Sequence, residues 1–289
     1  MIPWYYLTII SAILMGIASV QEKKALKKEY ASAYSSDFSV IAAIASLFLI
    51  PFASFNINLV QVGWVYLLSI ATTAGYLLAA RAYRHGELSV TSSIYNSLPI
   101  LFIVILGFLL LGETLTPIQY GSIGVAIIGI ILLLFFNYEE TRNASVRRRY
   151  LRIILLSSFV SAIGAILLKY IVSDISVNPI TTLILTQVFS ALNFTIYMQL
   201  KYGGVKEMFR NLEKYRGIIV TQAIFTTAYR ATFYVAAALA AISLVSPLRN
   251  TIYVIITIFA GGTMFREKNI KLKMVIAAVL IITSYLLIV

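Results

Sequence analysis

The sequence predicts an all-α integral membrane protein, with ten transmembrane helices arranged as two inverted five-helix repeats. Three observations carry that prediction. Apolar residues make up 60% of the chain and charged ones only 12%, with a mean hydropathy of +0.91, whereas about a quarter of residues are charged in soluble domains. Cutting the chain at its short polar bursts leaves ten apolar segments, each near the ~20 residues that cross a hydrocarbon core. A gapless shift of 154 positions then lays one half of the chain on the other at several polar residues.

The segments, in order, are Pro3–Gln21, Ser36–Phe55, Gln61–Ala82, Leu88–Leu111, Pro117–Phe136, Tyr150–Ile171, Ile180–Gln199, Arg216–Ala238, Ser243–Met264 and Ile270–Val289. The first has no basic residue ahead of its apolar run and a basic cluster, Lys23, Lys24, Lys27 and Lys28, behind it. That is the reverse of a cleaved signal peptide, so it reads as a retained helix. Two joints carry helix-start chemistry. Thr116-Pro117 with Gln119 forms a capping box with proline at the first helical position, and Asn178-Pro179 again sets a cap before a proline. In the fourth segment Pro99 removes the donor for the Tyr95 carbonyl, which predicts a kink.

Charge orients the chain. Five alternate loops hold 20 of the 23 Lys and Arg residues. By the positive-inside rule those loops are cytoplasmic and both termini lie outside, with the plasma membrane the expected location. Trp4 and Trp64 then fall at the outer interface. The net charge of +12 is thus a matter of topology, and with the basic residues divided among five loops it predicts no nucleic-acid partner. There is no cysteine and a single histidine, His85, so no disulfide, thiolate nucleophile or metal cluster is expected, and no cofactor.

The 154-residue shift places Thr72, Thr73 and Ala74 on Thr226, Thr227 and Ala228, Ser89 on Ser243, Asn96 on Asn250, Gly107 on Gly261 and Glu113 on Glu267. The expected organisation is a first five-helix repeat over 1–136, a basic connector over 137–149 and a second repeat over 150–289. Five is odd, so the halves must be inverted. Inverted repeats put a substrate site near the midplane between the halves and imply alternating access.

Glu87 to Leu133, ELSVTSSIYNSLPILFIVILGFLLLGETLTPIQYGSIGVAIIGIILL, resembles the end of the EamA repeat of the drug/metabolite transporter superfamily. The likeness lies in Gly112-Glu113 closing the fourth helix, Leu115-Thr116 before the fifth, then Gln119, Gly121 and the glycine-studded helix. The second half departs from it: Phe265-Arg266-Glu267 keeps the glutamate without the glycine, and the last helix has no glycine. The resemblance implies a secondary transporter moving small metabolites through a central cavity. Family substrates range over amino acids, sugar derivatives, polyamines and drugs.

Helix faces suggest what lines that cavity. In the eighth segment Ala228, Thr232, Ala236 and Ala240 form a small-residue packing strip. Arg230 points away from it, with Thr226, Thr227 and Tyr234. In the ninth, Ser246, Arg249 and Tyr253 share a face beside Asn250. First-half counterparts are Thr72, Thr73 and Tyr76, then Ser92, Tyr95, Asn96 and Pro99. Both arginines lie ~10 Å from the outer helix ends at 1.5 Å per residue. All eleven acidic residues fall in loops or at helix ends, so an anionic ligand is the expected counterion. Arg249 has other options: snorkelling, bonding helix-end carbonyls, or pairing with Glu113 or Asp174. Lys169 is expected to snorkel, Glu113 and Glu267 to be helix-end or interfacial residues, and Gly121, Gly124 and Gly129 to be close-packing positions, with a dimer contact as the lesser option.

The expected function is transport of small organic anions or zwitterions, amino acids leading. Arg230 and Arg249 with Asn250 would bind the carboxylate, and Tyr76, Tyr95, Asn96, Tyr234 and Tyr253 would surround the rest. With no acid inside the membrane, uniport or exchange is expected rather than proton coupling. The alternatives are an exporter of lipophilic cations or drugs and a non-transporting membrane interaction or sensor protein. Partners are a small-molecule substrate and the lipid bilayer; oligomeric state stays open. No nucleophile, base and orienter occur together, so an enzyme is not expected.

Overall fold

The structure, a computed structural model, describes residues 2–26, 31–85, 88–138, 144–202, 212–265 and 270–288. These form ten α-helices: α1 (Trp4–Leu26), α2 (Ala31–Leu47), α3 (Leu59–His85), α4 (Leu88–Leu111), α5 (Pro117–Tyr138), α6 (Ala144–Ser173), α7 (Pro179–Tyr202), α8 (Leu212–Leu239), α9 (Ile242–Met264) and α10 (Ile270–Leu286). Five of them carry an apolar stretch long enough to cross a membrane: Trp4–Lys24, Leu59–Ala79, Arg152–Ser173, Pro179–Lys201 and Ile242–Met264. Large apolar side chains such as Phe48, Leu59, Leu110, Leu200 and Phe259 are exposed around the bundle. Water would not tolerate that surface, and lipid does. The chain is an integral membrane protein.

Side-chain caps fix three of the helix starts. The Thr116 N–H donates to Gln119 Oε1 at 3.0 Å and the Gln119 N–H to Thr116 Oγ1 at 3.3 Å, which is the expected box. Asn178 Oδ1 accepts from the Ile180 and Thr181 N–H groups at 2.9 and 3.0 Å. A third start was not read from sequence: Asn58 and Gln61 cap each other reciprocally at 2.8 and 2.9 Å, so α3 begins at Leu59 rather than Gln61. The second span also differs. It begins earlier, at Ala31, and stops at Leu47 because Pro51, which has no N–H, lies in the short 3-10 turn Ile50–Phe52 that follows. At its far end α1 runs past Gln21 to Leu26, and α6 absorbs Ala144 to Arg149 of the basic connector. α4 is continuous through Pro99.

The helices pack in a defined set of pairs: α1 on α8 and α9, α3 on α6 and α7, α4 on α6 and α9, α2 on α7 and α8, and α10 on α5 and α9. The register of α8 and α9 is set by two charged side chains at the end where α1 begins. α4 stops because Gly112 turns at φ +63°, a left-handed conformation that glycine adopts without a Cβ penalty. That turn aims Glu113 at the start of α9, where its carboxylate accepts from the Ile242 N–H (2.8 Å), the Ser243 N–H (2.9 Å) and the Ser243 hydroxyl (2.6 Å). Gly107 is required by the same contact: a Cβ there would collide with Ser243 Oγ and stand 3.0 Å from Glu113 Oε2. The pairing of Glu113 with Arg249 or a lipid interface therefore gives way to a helix cap. Glu267, its repeat counterpart, lies outside the described residues.

Lys169 corrects a second expectation. Instead of snorkelling to headgroups, its ammonium donates to the Ala237 and Ala240 carbonyls, both at 2.9 Å. Carbonyls at a helix C-terminus lack helical donors and carry the negative end of its dipole, so a nearby cation is drawn to them. Of the α5 glycines, Gly129 packs near Ile276 and Leu280. At Gly121 and Gly124 an added Cβ would meet open space, so within this chain they are not close-packing positions.

Glu113→Ala, which strips three bonds from the α9 terminus, is expected to lower unfolding free energy by about 2–3 kcal/mol. Gly107→Ala should destabilise through the same contact, and both are read by thermal melting of detergent-purified protein.

Candidate functional site

A cavity of about 180 Å³ lies between α1, α3, α4, α6, α8 and α9. Its wall is mixed in character. α3 brings Thr72, Gly75 and Tyr76, α6 brings Ser161 and Gly164, and α8 brings Gln222, Thr226, Arg230 and Tyr234. On α8 the spacing Gln222, Thr226, Tyr229, Phe233 is helical, so one face supplies the whole lining.

Both predicted arginines line this cavity. Arg230 donates from a terminal nitrogen to Gln187 Oε1 at 3.1 Å. Gln187, 2% exposed, is fixed in turn by its own donation to Thr227 Oγ1 at 3.1 Å, and the Thr227 hydroxyl reaches the Ala42 carbonyl. Arg249 lies over the Phe233 ring, its guanidinium carbon 3.7 Å from the centroid, and donates through Nε to Asn250 Oδ1 at 3.2 Å. A planar guanidinium stacked on an aromatic ring keeps its N–H groups in its own plane, the direction from which a planar anion binds. Arg249 is thus part of the cavity wall.

Of the remaining predicted site residues, Tyr76, Tyr234 and Asn250 also line the cavity. Tyr253 does not. It is fully buried and its hydroxyl donates to Ser19 Oγ at 2.8 Å, one layer behind the wall to which Ser19 belongs. Three-and-four spacing put it on the arginine face, but α1 packs against that part of α9 and takes up the hydroxyl. The side chains of Tyr95 and Asn96 lie outside the described residues, and Pro99 reaches the lining.

Residues 2–135 match the model of the EamA-like transporter family. The match takes in α1 to α4 and α5 up to its last turn, a little under half of the chain. A solved crystal structure, titled only as that of a protein, superposes with a TM-score of 0.70 at 9% identity, covering 98% of this chain and 95% of its own. The likeness at that identity is one of fold, and it extends through the half that follows the EamA-like segment. No curated protein matches the chain.

Within the EamA-like half, sequence reasoning missed Glu22. The apolar segmentation places it in the loop after Gln21, yet α1 carries it into the cavity wall, where it is 7% exposed. Asp37, in α2, is 1% exposed. The expectation that every acid sits in a loop or at a helix end is therefore corrected, and with it the ground for excluding proton coupling. The signal was present in Met15, Ser19 and Glu22, spaced four and three apart on one face. Gln222, likewise overlooked, donates to the Tyr76 hydroxyl at 3.1 Å.

Because Arg230 and Gln187 are partners in a confined site, removing one leaves the other unsatisfied. Gln187→Leu is expected to lower stability by about 1–3 kcal/mol, and a Gln187→Leu/Arg230→Leu double variant should lose less than the sum of the two single losses. Chemical or thermal unfolding of the four proteins measures the coupling.

Proposed function

We propose that the protein is a secondary transporter of small organic anions or zwitterions, amino acids first among them, working by alternating access. The observation that carries this reading is the pair of guanidiniums, Arg230 and Arg249, lining one small cavity inside an apolar bundle. Placing an arginine at such depth costs at least ~2.5 to 3.5 kcal/mol, which a bound carboxylate offsets by bidentate hydrogen bonds. Tyr76, Phe233 and Tyr234 supply apolar and aromatic surface for a side chain.

Two inverted five-helix repeats fit the packing pairs. The contact of α1 with α8 has its counterpart five helices on in α6 with α3, α1 with α9 in α6 with α4, and α2 with α8 in α7 with α3. Such a pairing supports rocking of one half against the other around a central site. The distribution of basic residues supports an orientation with both termini outside the plasma membrane. Export of lipophilic cations is the second reading, favoured by Glu22 and the aromatic wall.

A melting screen of wild type, Arg230→Gln and Arg249→Gln against amino acids, carboxylates and organic cations tests the proposal. A ligand at a hundred times its dissociation constant adds ~2.7 kcal/mol to the folded state. Stabilisation of wild type by anions or zwitterions, reduced in both variants, is the expected result. Stabilisation by cations alone, unchanged in the variants, contradicts it.

A further inference from the structure

The cavity has a second chemical pole. Glu22 and Gln222 both line it, and they are 7% and 1% exposed. Glu22 Oε1 and Gln222 Oε1 are each enclosed and accept no hydrogen bond, while the Gln222 amide nitrogen is committed to the Tyr76 hydroxyl. Two buried acceptors without donors, in one wall, are expensive to leave so and call for a ligand that brings N–H groups.

The helix register places this pole relative to the arginines. Ser11 Oγ donates to the Tyr229 carbonyl at 2.8 Å, which sets α1 against α8. The two run antiparallel, since Trp4 and Leu7 belong to the apolar cluster that holds Ala236 and Ala237, while Val20 belongs to the one that holds Ile219 and Ala223. Counting from that bond, Glu22 lies roughly 18 Å from Arg230 along the bundle, with Gln222 between them, at 1.5 Å per residue. Helical side chains lean toward their own N-terminus, so Glu22 leans toward Arg230 and Arg230 toward Glu22, which brings the charged groups to roughly 10 Å. An α-amino acid with one hydrogen-bonded partner at each end spans about that distance, ~10 Å.

We infer that Glu22 and Gln222 form an ammonium subsite, so that the transported species is a zwitterion whose amine sits on these two acceptors and whose carboxylate sits on Arg230. The inference rests on the proposed function and narrows it: a plain monoanion fills the arginine pole and leaves Glu22 Oε1 and Gln222 Oε1 without a donor.

The test compares each of the common amino acids with its desamino carboxylic acid and its decarboxylated amine, as titrations of the melting midpoint, in wild type, Glu22→Gln and Arg230→Gln. The expected result is that wild type prefers at least one amino acid over its desamino partner by about tenfold or more. Glu22→Gln brings that ratio close to one with carboxylate binding retained, and Arg230→Gln weakens both ligands. The ratio compares two ligands on one protein, so a general loss of stability does not mimic the effect. Equal binding of amino acids and desamino acids by wild type, or an unchanged ratio in Glu22→Gln, overturns the ammonium subsite and leaves the anion reading standing. An unchanged ratio together with loss of the wild-type pH dependence of binding would make Glu22 a proton site instead. Preference for amines that depends on Glu22 and not on Arg230, or no binding by any member of the set, overturns both.

Discussion

Holding two guanidiniums inside an apolar helix bundle is the constraint on which the rest of this structure depends. Neither arginine is left to lipid. Arg230 is anchored through Gln187 to Thr227 and on to the Ala42 carbonyl, a chain of hydrogen bonds that ties α8 to α7 and α2. Arg249 is supported differently, by the face of Phe233 and the Asn250 side-chain oxygen. Each arrangement supplies polar or π contact that the hydrocarbon cannot, and each leaves the cation at the wall of the same cavity.

The depth of both arginines is set at one end of the bundle. α8 and α9 meet at Ala240 and Ala241, and the two helix ends that face each other there carry opposite partial charge. Lys169 from α6 binds the carbonyl end of α8, and Glu113 from the turn after α4 binds the amide end of α9. One connection is thus clamped by two side chains of opposite charge, each matched to the dipole it meets. The Gly112-Glu113 pair carries the EamA likeness, and its geometry shows what the pair does physically. The glycine reverses the chain, and the glutamate caps the helix that presents Arg249.

Helix existence and most helix starts were legible in the sequence, because apolar runs and caps such as Thr116-Pro117 and Asn178-Pro179 act locally. Arg230, Arg249, Tyr76, Tyr234 and Asn250 were also legible, since a polar side chain in an apolar run stands out and helical spacing groups it with its neighbours. Glu22 was not, because it sits beside Lys23 and Lys24 and reads as the start of a loop; only the continuation of α1 to Leu26 brings it inside. Tyr253 shows the opposite failure. Its register matched Arg249, but register says nothing of which neighbouring helix covers a position, and Ser19 of α1 takes its hydroxyl. Lys169 and Glu113 were seen as helix-end residues, while their partners lie far along the chain on a neighbouring helix and could come only from packing.

The central claim is that this cavity carries a small anion or zwitterion across a membrane, and counterflow in proteoliposomes tests it most directly. Vesicles containing the purified protein would be preloaded with an amino acid mixture, diluted into trace labelled amino acid without any ion or pH gradient, and sampled over time. The account predicts a transient accumulation of label that exceeds protein-free vesicles and disappears when the vesicles are loaded with buffer alone. No accumulation of any amino acid or carboxylate, in vesicles that do accumulate a labelled lipophilic cation, would contradict it.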